Sequence, residues 1–205
     1  HPHHAEATSK TADLLSELGH HVTEAAPVIP LDELSEQLYK TVAVELTAGI
    51  EAIGSARGRR VDDDELEPII AMFRNRGADV GGQEYAAINH TSMEVAHAFD
   101  DFLQSYDLVL SPTMPQPPLA LGEIYRNQSD FDAFRHHQNQ YLALTQVQNV
   151  TGQPAMSVPL WQSPAGLPVG MMFVARYGDE STLFSLAAQL ERARPWWGTR
   201  PDLLS

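Results

Sequence analysis

The chain has 205 residues, 43% of them hydrophobic, with 27 acidic side chains against 13 Lys plus Arg and a formal net charge of -14. That length fits one domain or a large part of one, and the apolar share is enough for a buried core. The acidity excludes a general nucleic-acid-binding surface, which needs cations against phosphates, and gives no attraction to an anionic membrane. With no cysteine, disulfides, thiolate catalysis and Cys-ligated zinc are excluded within these residues. No apolar run approaches the roughly 20 residues that span a bilayer. The start carries no apolar signal-peptide core, and it opens on His1 rather than Met. The expected location is the cytoplasm.

Ala5, Thr8, Ala12, Leu15 and Leu18 recur at three- and four-residue steps and predict a first helix. Gly19 stands where a left-handed cap would end it, and His20–Ala25 reads as a short strand stopped by Pro27 and Pro30. Leu31–Ile53 reads as a helix with Leu34, Leu38, Val42, Leu46 and Ile50 on its buried stripe, and Gly54–Val61 as a loop. Asp62–Arg76 opens with an acid-capped helical turn; Pro68 weakens a helix beyond it, and Gly77–Gly82 reads as a break. Gln83–Leu103 is the clearest amphipathic helix, with Tyr85, Ile88, Ser92, Val95, Phe99 and Leu103 on one face.

Tyr106–Leu110 is an apolar run suited to a buried strand. The four prolines of Ser111–Pro118 then predict a rigid loop leaving the strand's C-terminal end. Ser129–Val150 reads as one helix ended by Gly152 and Pro154. Ala155–Leu160 and Pro168–Ala175 read as strands around a turn holding Pro164 and Gly166, and Asp179–Arg192 as a last helix N-capped by Asp179.

The run Asn149–Gly170 reads NVTGQPAMSVPLWQSPAGLPVG. It resembles the C-terminal signature of the amidase-signature hydrolases, in which N-x-T-G-x-P-A-x-S-V-P precedes G-L-P-V-G. YDLVLSPTMPQPP at Tyr106–Pro118 resembles the family's strand and T-P-T-like loop, and LGHHV at Leu18–Val22 its helix–Gly–His–strand unit. The resemblance runs from His1 to about Trp197, and the general amidases and 6-aminohexanoate-cyclic-dimer hydrolases are the most similar branches. It implies an α/β fold, a mixed sheet sandwiched by helices, with this chain as the C-terminal portion of a single amidase-signature domain.

The resemblance also implies a Ser–Ser–Lys mechanism. One serine attacks the carbonyl, a second relays a proton, and a neutral lysine is the base, because a serine hydroxyl is a weak nucleophile until a base takes its proton. Burial can lower a lysine's pKa enough for that task. No G-G-S-S-G-like loop is present: Gly81-Gly82 is followed by Gln83 and Glu84. The only lysines, Lys10 and Lys40, fall on helix positions that read as exposed. The expectation is therefore a catalytic N-terminal portion outside these residues, no catalytic residue within them, no activity for the segment alone, and no metal or organic cofactor.

Ligands in α/β sheets gather beyond the C-terminal ends of strands. Thr113, Met114 and Gln116 are thus candidates for a wall of the substrate pocket, with Asn149 and Gln153 able to place an amide near it. Equally, Thr113 and Asn149 can serve local backbone hydrogen bonds. Gly152, Pro154, Gly166 and Gly170 are read as shaping the backbone, since glycine permits positive φ and proline pre-sets it. Ser157 lies in a strand without a Gly-x-Ser-x-Gly elbow and is not read as a nucleophile. The N-terminal histidines and the acid run Asp62–Glu65 are read as solvated rather than metal-binding.

The expected function is hydrolysis of a linear or small cyclic carboxylic amide, with the N-terminal portion and a small amide as partners. Neither nucleic acid nor membrane is expected, and a homodimer follows from the prevalence of symmetric pairs. Two alternatives are an amidotransferase A-type subunit acting on charged tRNA and a non-catalytic binding or scaffold module.

Overall fold

The computed structural model describes residues 1–123 and 130–199. They group into two compact units. The first takes His1–Val28, Ala98–Pro117 and the chain from Gly152 onward; the second takes Ile29–His97 and Pro118–Thr151.

The first unit is a three-stranded antiparallel sheet with helices packed on it. Its strands are β1 (Leu108–Pro112), β2 (Ala155–Gln162) and β3 (Pro168–Ala175), in the spatial order β1-β3-β2. Central β3 reads as a continuous apolar run because it is buried on both faces: Met171, Phe173 and Ala175 on one, Met172 and Val174 on the other. The β2–β3 turn is closed by Gly166, whose N–H donates to the Ser163 carbonyl at φ +77°. Pro159 lies in β2 where the register shifts between Val158 and Trp161, a place where a missing N–H costs no ladder bond.

Helix α1 (Pro2–Glu17) and the last helix, Glu180–Ala193, lie against this sheet. Ala7 and Leu15 from the one and Leu183, Leu186 and Leu190 from the other join Val158, Leu160, Val169, Met171 and Phe173 in one core. Burying each of the larger side chains among them contributes about 1.5–3 kcal/mol relative to exposure. Gly19 ends α1 at φ +94°, with its N–H on the Ser16 carbonyl. Asp179 caps the last helix by accepting from the Thr182 N–H at 3.3 Å. Hydrogen bonds first from Thr182 and then from Ser181 hold its carboxyl below the ordinary carboxylate range.

The second unit is helical: α2 (Leu31–Arg57), α3 (Pro68–Asp79), most of α4 (Gly82–Phe102), α5 (Phe131–Leu142) and α6 (Gln146–Thr151). The last helix of the chain is therefore α7. Tyr39, Ala43, Ile69, Phe73, Phe131 and Phe134 form the core of this unit. Phe73 and Phe131 meet edge-on with centroids 4.9 Å apart, a favoured aromatic geometry.

Several expectations are corrected. His20–Ala25 forms no strand: it pairs with no strand among the described residues, and His20 instead closes the end of α1, its N–H donating to the Leu15 carbonyl at 3.0 Å. Leu34 and Ile50 are buried in α2 as expected, but the stripe between and beyond them runs through Ser35, Tyr39, Ala43, Thr47 and Gly54, while Val42 is exposed. Small side chains at 43 and 47 let α3 approach so closely that Gly77 has no room for a Cβ against the Ala43 carbonyl and the Thr47 hydroxyl. Hence Gly77 lies within α3 instead of breaking it. Pro68 starts that helix, since the first turn needs no N–H. The helix expected over Ser129–Val150 divides into α5 and α6; its start at Ser129 lies outside the described residues. β1 is half-buried along its length, as suits an edge of the described sheet.

Candidate functional site

The register of the sheet defines the site. Beyond the last pair, Pro112 with Met171, the Thr113 N–H donates to the Gly170 carbonyl at 2.9 Å, so the ladder runs one residue into the proline-rich loop. Thr113 and Ser157 then project from β1 and β2 on either side of Gly170 in β3. Their hydroxyl oxygens lie 2.6 Å apart, within strong hydrogen-bond distance. An ideal Cβ on Gly170 would stand 2.8 Å from Thr113 Oγ1 and 2.9 Å from Ser157 Oγ. Gly170 therefore supplies clearance: it lies inside a strand and has no positive φ, which corrects its reading as a turn residue.

The loop after Thr113 is anchored to α1. His4 is buried, and its Nδ1 lies 2.6 Å from the Met114 carbonyl, which corrects the reading of this histidine as solvated. Thr113, Met114 and Gln116 are all half-buried along this stretch.

Gln153 is buried just after the Gly152 turn, where φ is +79°, and its Nε2 donates to Asp100 Oδ1 at 2.9 Å. Pro154 follows, and its carbonyl accepts from Ala175 N–H as β2 begins. Asn149 is an exposed residue of α6 in the second unit. The structure thus brings together Thr113, Gly170 and Ser157 in the first unit, places Gln153 on Asp100 in the same unit, and leaves Asn149 to the other.

Ser157, set aside as a nucleophile from the sequence, is not singled out there as a neighbour of Thr113. Its neighbour across two strands depends on register, which no local pattern carries. In register Ser157 pairs with Met172, so its reach over Gly170 is not written in either strand's own pattern.

Both lysines are held by acids. Lys10 pairs with Glu6 at 2.7 Å on the surface of α1. Lys40 pairs with Glu84 at 2.9 Å and Glu36 at 3.2 Å. Glu84 first and then Glu36 raise the Lys40 pKa further, which favours the ammonium form. Two clefts lie in the second unit. One, of about 310 Å³, is lined by Tyr39, Lys40, Arg76, Phe131 and Arg135; the other, of about 650 Å³, by Thr47, Gly54, Arg60 and Arg74. Neither includes a wall candidate. No helix among the described residues is long and apolar enough to cross a membrane.

The chain belongs to the amidase family, whose family model, described as Amidase, matches residues 1–184. It is 34% identical over 211 residues to the 6-aminohexanoate-cyclic-dimer hydrolase of Paenarthrobacter ureafaciens, covering 100% of this chain and 43% of that protein. The solved structure of a 6-aminohexanoate cyclic dimer hydrolase superposes with a TM-score of 0.89 at 31% identity, over 98% of this chain and 43% of that one. A bacterial aryl acylamidase of the amidase-signature family shares the fold, with a TM-score of 0.77 at 23% identity over 93% and 40% of the two chains. The chain spans about two-fifths of the length of the relatives it matches.

Proposed function

We propose that these 205 residues are the C-terminal portion of a single amidase-signature domain that hydrolyses a linear or small cyclic carboxylic amide. Family membership carries this reading, together with likeness to a hydrolase of a cyclic amide dimer along the whole chain. In this reading the chain supplies a wall of the substrate pocket through Thr113, Met114, Gln116 and Gln153 of the first unit. The Ser–Ser–Lys set lies outside these residues. One observation supports that: Lys40 and Lys10 are each tied to carboxylates, and a lysine held as an ammonium partner is not available to take a proton from serine. The strongly acidic balance gives no support to a tRNA-facing surface in this portion. Cytoplasmic location and a homodimer belong to the same reading, the latter on the prevalence of symmetric pairs.

The test compares the intact protein with residues 1–205 on a panel of linear and cyclic amides, following release of amine. The intact protein is expected to turn over at least one class, and the 205-residue chain none. Turnover by the chain alone would defeat the assignment of catalysis to residues elsewhere. In the intact protein, Thr113→Ala or Met114→Ala is expected to change the order of preferred amides with little change in thermal midpoint. Kinetics unchanged across the panel would remove the wall assignment.

A further inference from the structure

The hydroxyl pair over Gly170 has a chemistry that a single threonine lacks. A free hydroxyl carries one donor and two lone pairs on a rotor with several positions. At 2.6 Å one of the two hydroxyls donates to the other, which fixes the donor's rotor and keeps the acceptor's proton pointed away from it. The pair then keeps one O–H donor and spare lone pairs. That is the complement of a carboxylic amide, which offers a carbonyl acceptor and, unless tertiary, an N–H donor. Gly170 is what permits the arrangement, because a Cβ there would stand within 3 Å of both oxygens. The Thr113 backbone is itself pinned, by its N–H on the Gly170 carbonyl. Ser157 is exposed and Thr113 half-buried, so the pair stands at the surface of this unit and not in its core.

We propose that Ser157 is a positioning residue for substrate binding: it sets the Thr113 hydroxyl over Gly170 so that the two together receive the amide group of the substrate. This rests on the pocket-wall reading of Thr113 and goes beyond it by naming Ser157 and the group recognised. Ser157 acts through Thr113 and takes no part in bond cleavage.

The experiment uses the intact protein and an amide that it hydrolyses, with KM, kcat and thermal midpoint measured for Thr113→Ala, Ser157→Ala and Ser157→Thr. A lost or misdirected neutral hydrogen bond corresponds to roughly a fivefold change. The expected result is a rise in KM of about that size for both alanine variants, with kcat within about twofold, an unchanged thermal midpoint, and recovery in Ser157→Thr. A raised KM for Thr113→Ala beside wild-type behaviour of Ser157→Ala overturns this inference and leaves the wall reading standing. No effect of Thr113→Ala overturns both. A fall in thermal midpoint and kcat with KM unchanged in Ser157→Ala makes the pair a structural brace and also overturns the inference.

Discussion

Trp161 in β2 donates its indole N–H to the hydroxyl of Thr11 in α1 at 2.7 Å, and Thr11 is completely buried. The same hydroxyl donates to the Ala7 carbonyl at 2.7 Å, so its own proton is already committed. The contact ties the first helix to the sheet that carries Thr113 and Ser157. The Arg194 guanidinium lies 4.0 Å from the centre of the Trp161 ring and so helps hold the indole in place. Thr11→Val keeps the shape but removes the acceptor, leaving a half-buried N–H unpaired. It is expected to destabilise the intact protein by about 1–2 kcal/mol. Urea unfolding checks this, and a midpoint equal to wild type would show that the indole finds another partner.

Gly77 and Gly49 make a paired test of helix packing. Replacing an exposed helical glycine with alanine stabilises by about 1 kcal/mol. Gly49 lies in α2 with open space around a new Cβ, so Gly49→Ala is expected to raise stability by that amount at most. At Gly77 the new methyl meets the backbone of α2 at Ala43, and overpacking costs about 1–3 kcal/mol. Since backbone cannot swing aside, the upper part of that range applies and outweighs the helix gain, for a net loss of about 2 kcal/mol. Thermal unfolding of the two variants should move in opposite directions.

Glu65 is the carboxylate with the clearest pH signature. Its side chain accepts from Arg59 at 2.7 and 2.8 Å and from the Asp62 N–H at 3.0 Å, closing the turn before α3. The Arg59 hydrogen bonds first, then the Asp62 N–H, bring its pKa from the ordinary 4.5 to about 2. A carboxyl whose pKa falls on folding contributes stability above its unfolded value and loses it as pH drops through the folded one. The turn is therefore expected to hold down to pH about 4.5 and to weaken between there and about 2. NMR titration of the Glu65 carboxyl reads this directly. In Arg59→Ala the midpoint should move up toward the ordinary value, and an unmoved midpoint would assign the shift to another cause.

Lys10→Met and Lys40→Met test the placement of the base. Lys10 is exposed, Lys40 half-buried, and both are ion-paired near the surface, where such pairs are worth at most about 1 kcal/mol. Turnover of the intact protein is expected to stay within about twofold of wild type in both variants, whereas loss of a catalytic base costs factors of about 100 or more. A large fall in kcat for either variant would place the base in this chain.

The periodic elements were legible because their signal is local. Helices α4 and α7, the strand Pro168–Ala175, the glycine cap after α1 and the Asp179 cap each repeat a pattern within a few residues, and a pattern of that reach shows in one dimension. The same holds for the family, since Asn149–Gly170 is a continuous run. Where the readings departed, a distant neighbour had decided the outcome. The stripe of α2 is set by how closely α3 comes, through Gly77. His20–Ala25 lacks a strand to pair with among the described residues. Thr113 could be singled out from its loop, but its partner Ser157 is 44 positions away.

By itself the sequence determined the family, most of the helices and the three strands of the sheet, and singled out Thr113 and its loop as wall candidates, because those properties depend on neighbours along the chain. Only the tertiary structure decided that Gly170 keeps space for two hydroxyls, that Ser157 meets Thr113, and that Gln153 turns to Asp100. Each of these follows from strand register and loop closure, where a shift of one residue would send every side chain to the opposite face.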